Sequence, residues 1–290
     1  MKSDSEIKAG YVAIAGLTNS GKSTLINTLT ERKISPSHVH KGTTRVPISS
    51  IYMNDDSQIC FIDTPPIEVF DDAVFFSGMD VICLTINSTD LSSQLKSNRV
   101  REFIDEIAPI PLIIAPTFID CFPRYLHSAF INQIAMFGSF QEIVPVCSPC
   151  LESAYRLRKV IAGYIPDRGR LFPEGCTSLH SERFLVSEQI RISLFSVLPS
   201  DVANTTAVQI EEFSIRDEKR YVRANLHVAK HSNKGVVIGR KGAMLQNIAD
   251  IAAEGASKIL ERPMYLDLWV KVRESWPGNQ SDLVEFGYVC

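Results

Sequence analysis

Two glycines, a lysine and a hydroxyl raise the first chemical question: Gly16, Gly21, Lys22 and Ser23 stand in the stretch GLTNSGKST, residues 16–24, at the spacing GxxxxGKS. Glycines so placed let a loop wind until consecutive backbone N–H groups point at one centre, and a helix that follows adds its positive end. A lysine beside the second glycine reaches the oxygens of bound phosphates, and the hydroxyl after it is placed to ligate Mg2+. The apolar run YVAIA (11–15) precedes the loop, and LINTL (25–29) follows Thr24 with the look of a helix. Strand, loop and helix thus come in the order that phosphate binding needs, against the bland alternative of a Gly-rich turn that binds nothing.

An acid supports the same chemistry. QICFIDTP (58–65) is an apolar strand that ends in Asp63, where a carboxylate at the edge of a parallel sheet is suited to Mg2+. Further apolar segments, VICLTI (81–86), PLIIAP (111–116) and EIVPVC (142–147), alternate with helix-like stretches over 97–107 and 124–136. This rhythm predicts an α/β domain with a doubly wound, mostly parallel sheet and ligands along the carboxyl ends of its strands.

A second set of residues has a different chemistry. In GRKG, Gly239 and Gly242 allow close approach to a sugar-phosphate chain, and Arg240 and Lys241 place charge between them. The surrounding stretch 219–242 holds Lys219, Arg220, Arg223, Lys230, Lys234, Arg240 and Lys241 and no acid, in a chain of net charge −3. That concentration points to a polyanion-binding face, with a solvated basic face as the alternative. Leu245, Ile248, Ala252 and Ile259 recur at helical spacing, while Val222, Ala224, Leu226 and Val228, and Leu266, Leu268, Val270 and Val272, alternate as strands. A helix packed on a sheet is therefore expected behind GRKG. Trp269, between Asp267 and Lys271, is read as packing in preference to base stacking.

Composition sets the frame for both. With 290 residues, 45% hydrophobic and 22% charged, the chain is long enough for two cores. No apolar run approaches the roughly 18 residues of a membrane span, and MKSDSEIKAG has no apolar core of a signal peptide, so an unexported protein is expected. Seven cysteines scattered along the chain do not suggest a disulfide framework. Cys147 and Cys150, in CSPC, lack a second pair or a suitably spaced histidine and are read as loop or core residues, not as a zinc or redox site. YIPDRGRLFPEGCTSLH (164–180), with Pro166, Pro173, Gly169 and Gly175, has little periodicity and reads as a linker. The expected division is 1–170, a linker over 171–180, and 181–290.

With these elements in order, the chain resembles the Era family, in which a Ras-like GTPase domain precedes a C-terminal KH RNA-binding domain. GLTNSGKST is similar to the family's Gly-x-Pro-Asn-x-Gly-Lys-Ser-Thr, and Thr43 to Arg45 (TTR) to its switch I signature. VVIGRKGAMLQNIADIA (236–252), MYLDLWVKV (264–272), the lead-in SERFLVSEQIR and the ending LVEFGYV resemble its KH core. The resemblance covers about residues 10–289. It implies GTP or GDP held by Gly16, Asn19, Gly21, Lys22, Ser23, Thr24, Asp63, Asp120, Cys147 and Ser148. Mg2+ would be held by Ser23, Asp63 and Thr43 or Thr44, with Lys22 serving the reaction beside them. It also implies K+ at Asn19, where an ordinary loop asparagine is the alternative. RNA is expected on Lys234, Gly239, Arg240, Lys241 and Gly242.

Departures from the family cluster at the nucleotide. Its Asp-Thr-Pro-Gly reads Asp63-Thr64-Pro65-Pro66 here, and Pro66 has no N–H for the γ-phosphate. The segment from Asp63 to Val81 reads as a trimmed switch II. The family's Asn-Lys-x-Asp falls on Thr117-Phe118-Ile119-Asp120: Asp120 retains a carboxylate for guanine, Phe118 is expected to stack without tying back to the phosphate loop, and the asparagine's hydrogen bonds are expected to be lost with Thr117. Cys147 and Ser148 replace the last guanine motif.

Three readings follow. The first is an Era-like GTPase, slow in hydrolysis, that binds small-subunit ribosomal RNA near its 3′ end and assists assembly of the 30S subunit. The second is a nucleotide-impaired, non-catalytic rRNA-binding assembly factor. The third is a P-loop ATPase. The resemblance implies a monomer in the cytoplasm, with peripheral contact at the inner membrane as a further expectation.

Overall fold

The computed structural model describes residues 7–32, 46–70, 72–216 and 219–286, with the side chains of Arg216 and Lys219 excepted. Contacts within the chain divide between Leu179 and His180 into two compact units.

The first unit is built on β1 (Lys8–Gly16), β2 (Ile48–Met53), β3 (Ser57–Asp63), β4 (Val81–Asn87), β5 (Leu112–Thr117) and β6 (Glu142–Ile143). They form one sheet in the order β2-β3-β1-β4-β5-β6, in which only the β2–β3 pair is antiparallel. Central parallel strands are covered on both faces, and their sequences show it: Val12 and Ile14 enter one core, Ala13 and Ala15 the other. The first core takes Leu25, Ile26 and Leu29 of α1 (Lys22–Thr30) and Leu157 and Ile161 of α6 (Leu151–Tyr164). The second takes Phe76 of α2 (Ala73–Ser77), Leu91 of α3 (Leu91–Lys96), Val100 and Phe103 of α4 (Asn98–Glu106) and Ile134 of α5 (Arg124–Ala135). Full burial of each such large apolar side chain stabilises the fold by about 1.5–3 kcal/mol.

The strand expected over 142–147 is shorter as a regular element, since Pro145 has no donor. Val144 and Val146 still donate to the carbonyls of Ile114 and Pro116, each at 2.8 Å, and carry the ladder onward. At the other edge, the segment read as a linker lies along the sheet. Ile51 donates to the Thr177 carbonyl at 2.8 Å, Gln58 Oε1 accepts from Leu171 N at 2.7 Å and Phe172 N at 2.9 Å, and Leu179 N donates to Ser49 Oγ at 2.8 Å. An edge strand with unpaired backbone groups is thereby covered.

The second unit contains α7 (Glu182–Val197), α8 (Ser200–Asn204), β7 (Thr206–Arg216), β8 (Lys219–Val228), α9 (His231–Ile238), α10 (Ala243–Leu260), β9 (Met264–Val272) and α11 (Gln280–Glu285). Its sheet runs β7-β8-β9, antiparallel then parallel. Val222, Ala224, Leu226, Val228, Leu266 and Leu268 face Ile248 and Ala252 of α10 and Val186, Ile190 and Leu194 of α7. The expected helix-on-sheet platform is present, with Leu245, Val270 and Val272 at its half-buried margin. Trp269 departs from the packing expectation: it is 57% exposed on the face that α7 and α10 leave open. Its strand position has the opposite parity to Leu266 and Leu268, which turns it away from the core.

Candidate functional site

Strand register assembles the first site. Parallel pairing sets Ile14 beside Asp63, Gly16 beside Thr85, and Asn87 beside Thr117, so the ends of β1, β3, β4 and β5 converge. Gly16 has φ +148° and is buried, and a Cβ there would come within 2.6 Å of both Ser20 Oγ and the Thr85 carbonyl. No other residue fits that turn. Ser20 and Thr85 hydroxyls share a hydrogen bond of 2.6 Å, and Thr85 donates to the Ala15 carbonyl at 3.0 Å. These bonds fix the loop's inner side, and Gly21, at φ +89°, opens α1.

Lys22 is 6% exposed and donates from Nζ to the carbonyls of Gly16 at 3.0 Å and Leu17 at 2.8 Å. Burial pulls its pKa down to about 8, and the nearby carboxylates of Asp63 and Glu68 resist that fall. Ser23 and Thr24 follow on the first turn of α1, Ser23 half-buried and Thr24 exposed. Asp63 is wholly buried at the end of β3. A buried carboxylate at the end of β3 and a hydroxyl at the start of α1 suit Mg2+, which takes few protein ligands and keeps phosphate and water oxygens for the rest. No group of three or more His, Cys, Asp or Glu side chains that would hold a metal by itself occurs among the described residues. Thr43 and Thr44, expected to complete the magnesium set, lie outside the described residues. Asn19 is exposed at φ 61°, and its carbonyl accepts from Asn87 Nδ2 at 3.2 Å.

The other end of the loop meets the residues expected to read a base. Built on Gly21, a Cβ would sit 3.4 Å from Phe118 Cε2, 3.4 Å from Thr117 Cγ2 and 3.5 Å from Ser148 Oγ. One expectation is corrected here. Thr117 Oγ1 donates toward the carbonyls of Ser20 at 2.8 Å and Ile86 at 3.2 Å, so a tie from this motif to the phosphate loop persists. Phe118, at φ 55°, has its ring near the loop and no donor to offer it. Asp120 is exposed at the rim; burial pushes the Cys147 thiol up, and the charge of Asp120 adds to it. Ser148 Oγ is buried without a partner, a hydroxyl left for a ligand. Cys147 is half-buried, and its N–H donates to Ser153 Oγ at 3.2 Å.

Pro66 is buried after Thr64, whose hydroxyl donates to the Ile14 carbonyl at 3.1 Å. The N–H next along, on Ile67, is spent on the Gly16 carbonyl at 3.2 Å. A contact invisible in the sequence follows: the Thr18 N–H donates to both oxygens of the Glu68 carboxylate, at 2.9 and 3.2 Å.

The second site lies between α9 and α10. Gly239, at φ +69°, would drive a Cβ to 2.5 Å from Met244 Cβ and 2.9 Å from Met244 N, whereas Gly242, at φ +82°, faces open space. Lys234, Arg240 and Lys241 are exposed, and with Lys230 they form no ion pair among the described residues. The single basic face expected over 219–242 is narrower than the sequence suggests. Arg220 pairs with Glu182 at 2.9 Å, and Arg223 lies on the open sheet face with Asp267 at 3.4 Å. Strand alternation turns those two arginines to opposite faces of the sheet, Arg220 with the parity of Val222 and Ala224 and Arg223 with the opposite one.

The chain is similar to known proteins over both units. The 50S ribosome-binding GTPase family matches residues 11–117, and the KH domain family matches residues 189–277. Among solved structures, a variant of Aquifex aeolicus Era bound to GDP·AlF4− shares 29% identity at a TM-score of 0.88, over 98% of this chain and 100% of that one. Era in complex with MgGDPNP and nucleotides 1506–1542 of 16S ribosomal RNA is 29% identical at a TM-score of 0.87, again over 98% and 100%.

Proposed function

We propose, for a chain in which a GTPase domain precedes a C-terminal KH domain as in Era, that it binds GTP and GDP with Mg2+ in its first unit and the 3′ end of small-subunit ribosomal RNA in its second. Its role is to assist assembly of the 30S subunit. The observation that carries the nucleotide half is the convergence at Gly21: Thr117 Oγ1 donates to the Ser20 carbonyl at 2.8 Å, and Phe118 and Ser148 stand 3.4 and 3.5 Å from where a Cβ on Gly21 would sit. Phosphate and base subsites are therefore contiguous. For the RNA half, the Era complex with nucleotides 1506–1542 of 16S ribosomal RNA supports the same target here.

Ser23 and Asp63 would hold Mg2+, together with Thr43 or Thr44. Bound there, the ion offsets charge on the phosphate oxygens as the terminal bond breaks. Lys22 would neutralise the same oxygens, and Asp120 would accept from guanine. Hydrolysis is slow. Pro66 has no N–H for the γ-phosphate, and Ile67 gives its own to Gly16, so water must be oriented by what remains. The protein works as a monomer in the cytoplasm, with K+ at Asn19 as an accessory ion. No helix among the described residues is long and apolar enough to cross a membrane, and any inner-membrane contact is peripheral.

The second reading, an assembly factor that no longer turns over nucleotide, is favoured by the buried Pro66 alone. Fluorescence anisotropy with an RNA of the small-subunit 3′ end, at moderate salt and with GDP or a GTP analogue, separates the two. Nucleotide-dependent RNA affinity is the outcome expected of the first reading. RNA binding indifferent to nucleotide leaves the second, and no RNA binding defeats both.

A further inference from the structure

The Thr18 N–H already has an anion. It belongs to the phosphate loop, and it donates to both carboxylate oxygens of Glu68, at 2.9 and 3.2 Å. The direction of the site gives this contact its meaning. The base end lies at Gly21, against Phe118 and Ser148, and the loop runs back from there through Thr18 to Gly16. A phosphate chain that starts from the base end must therefore bring its last phosphate toward Thr18 and the buried Asp63. Glu68 stands on that side.

Its position is fixed by its own segment. Ile67 N donates to the Gly16 carbonyl at 3.2 Å, Arg99 Nε donates to the Ile67 carbonyl at 2.8 Å, and Val69 and Phe70 both donate to the Pro66 carbonyl at 3.0 Å. The backbone is held at both sides of residue 68 while the side chain is exposed. Its carboxylate can swing into water without disturbing the fold. Lys22 also senses the charge, which supports its protonated form against burial.

We propose that Glu68 is a specificity-determining residue whose carboxylate takes the place of the terminal phosphate on the Thr18 N–H, so that a triphosphate must displace it and a diphosphate need not. This rests on the nucleotide-binding reading above. Two negative groups cannot share one N–H and one lysine without repulsion, and a carboxylate that accepts from a backbone amide is a stronger partner than water. Pro66 deepens the bias, since no N–H at that position repays a triphosphate for expelling Glu68. The site is set toward the diphosphate form until the carboxylate is drawn away.

The test compares wild type with Glu68→Ala and Glu68→Gln in titrations of fluorescent GDP and a non-hydrolysable GTP analogue, with Mg2+ present. Both substitutions lie at an exposed position and leave the core intact. Loss of the competing charge is expected to raise affinity for the triphosphate by about three- to tenfold, with the diphosphate changed by less than about twofold. An unchanged ratio in both variants, with GDP still bound, overturns the inference and leaves the nucleotide reading standing. If none of the three proteins takes up guanine nucleotide, that reading fails, and the 15N-amide resonance of Thr18 decides the inference. Inorganic tripolyphosphate should then shift that resonance at lower concentration in Glu68→Ala than in wild type. Equal concentrations would overturn it.

Discussion

Two loops in this molecule use the same parts and enclose them differently. Gly16 and Gly21 bracket the loop of the first unit, Gly239 and Gly242 that of the second; all four have positive φ, and each loop opens a helix next to basic side chains. In the first, the lysine is 6% exposed, bonded to loop carbonyls and lowered in pKa to about 8. In the second, Arg240 and Lys241 stand in water. Enclosure suits a compact anion that fills a cradle from the loop's own N–H groups. Exposure suits a long anion that passes across and is read by shape and charge. The backbone geometry is alike, and the surroundings decide which polyanion each loop takes.

The comparison breaks most visibly at Gly16. Gly16→Val must push Ser20 and the Thr85 carbonyl apart, so nucleotide binding should fall by more than about 100-fold, with a loss of stability of about 1–3 kcal/mol from overpacking. Denaturant melts and GDP titrations measure the two effects, and RNA affinity measured without nucleotide should survive. The open loop should show the opposite pattern. Arg240→Ala with Lys241→Ala is expected to weaken RNA binding by about ten- to thirtyfold and to reduce the steepness of its salt dependence by about two counterions, with nucleotide affinity untouched.

Proton linkage sharpens the contrast further. Bound phosphate favours the charged form of Lys22, so nucleotide uptake above pH 8 must take up a proton, and affinity should fall about fivefold between about pH 8 and pH 9. Calorimetry in buffers of different ionisation enthalpy would detect that proton; RNA binding by the exposed loop should show no such step. Stability of the free protein has the opposite slope. The unfolded chain holds the Lys22 proton up to the ordinary value of 10.5 and the folded chain only to about 8, so this group makes the fold more stable as pH rises through that window. The smallest effect is expected at Thr117→Val, which removes the hydroxyl bonds to Ser20 and Ile86 and should cost about 1 kcal/mol in stability with a loss of guanine affinity of severalfold.

The sequence made one loop far more legible than its surroundings. GxxxxGKS and GRKG announce themselves because phosphate chemistry restricts residue type and spacing together, and the period-2 and helical runs behind them follow burial. Edge strand β2 escaped notice because its serines sit where an alternating apolar pattern would be; Ser49 instead bonds the segment 177–179. That segment looked like a free linker because its order comes from tertiary partners, Gln58 above all. Arg220 and Arg223 looked like part of the RNA face since their acids, Glu182 and Asp267, are about forty residues away on other elements. Thr117 looked like a loss, because only the folded chain shows that a threonine hydroxyl reaches Ser20. Trp269 shows a failure of base-rate reasoning: strand parity, not residue type, put it outside the core.

The central claim is that the first loop still takes guanine nucleotide although the residues that normally read it have changed. Titration of the purified protein with fluorescent GDP, with Mg2+ and K+ present and unlabelled ATP as competitor, tests this most directly. Saturable binding that a GTP analogue displaces and equal ATP does not is the expected result, with Asp120 left to select the base and the buried lysine to hold the phosphates. No binding at high micromolar nucleotide, or equal displacement by ATP, would contradict it.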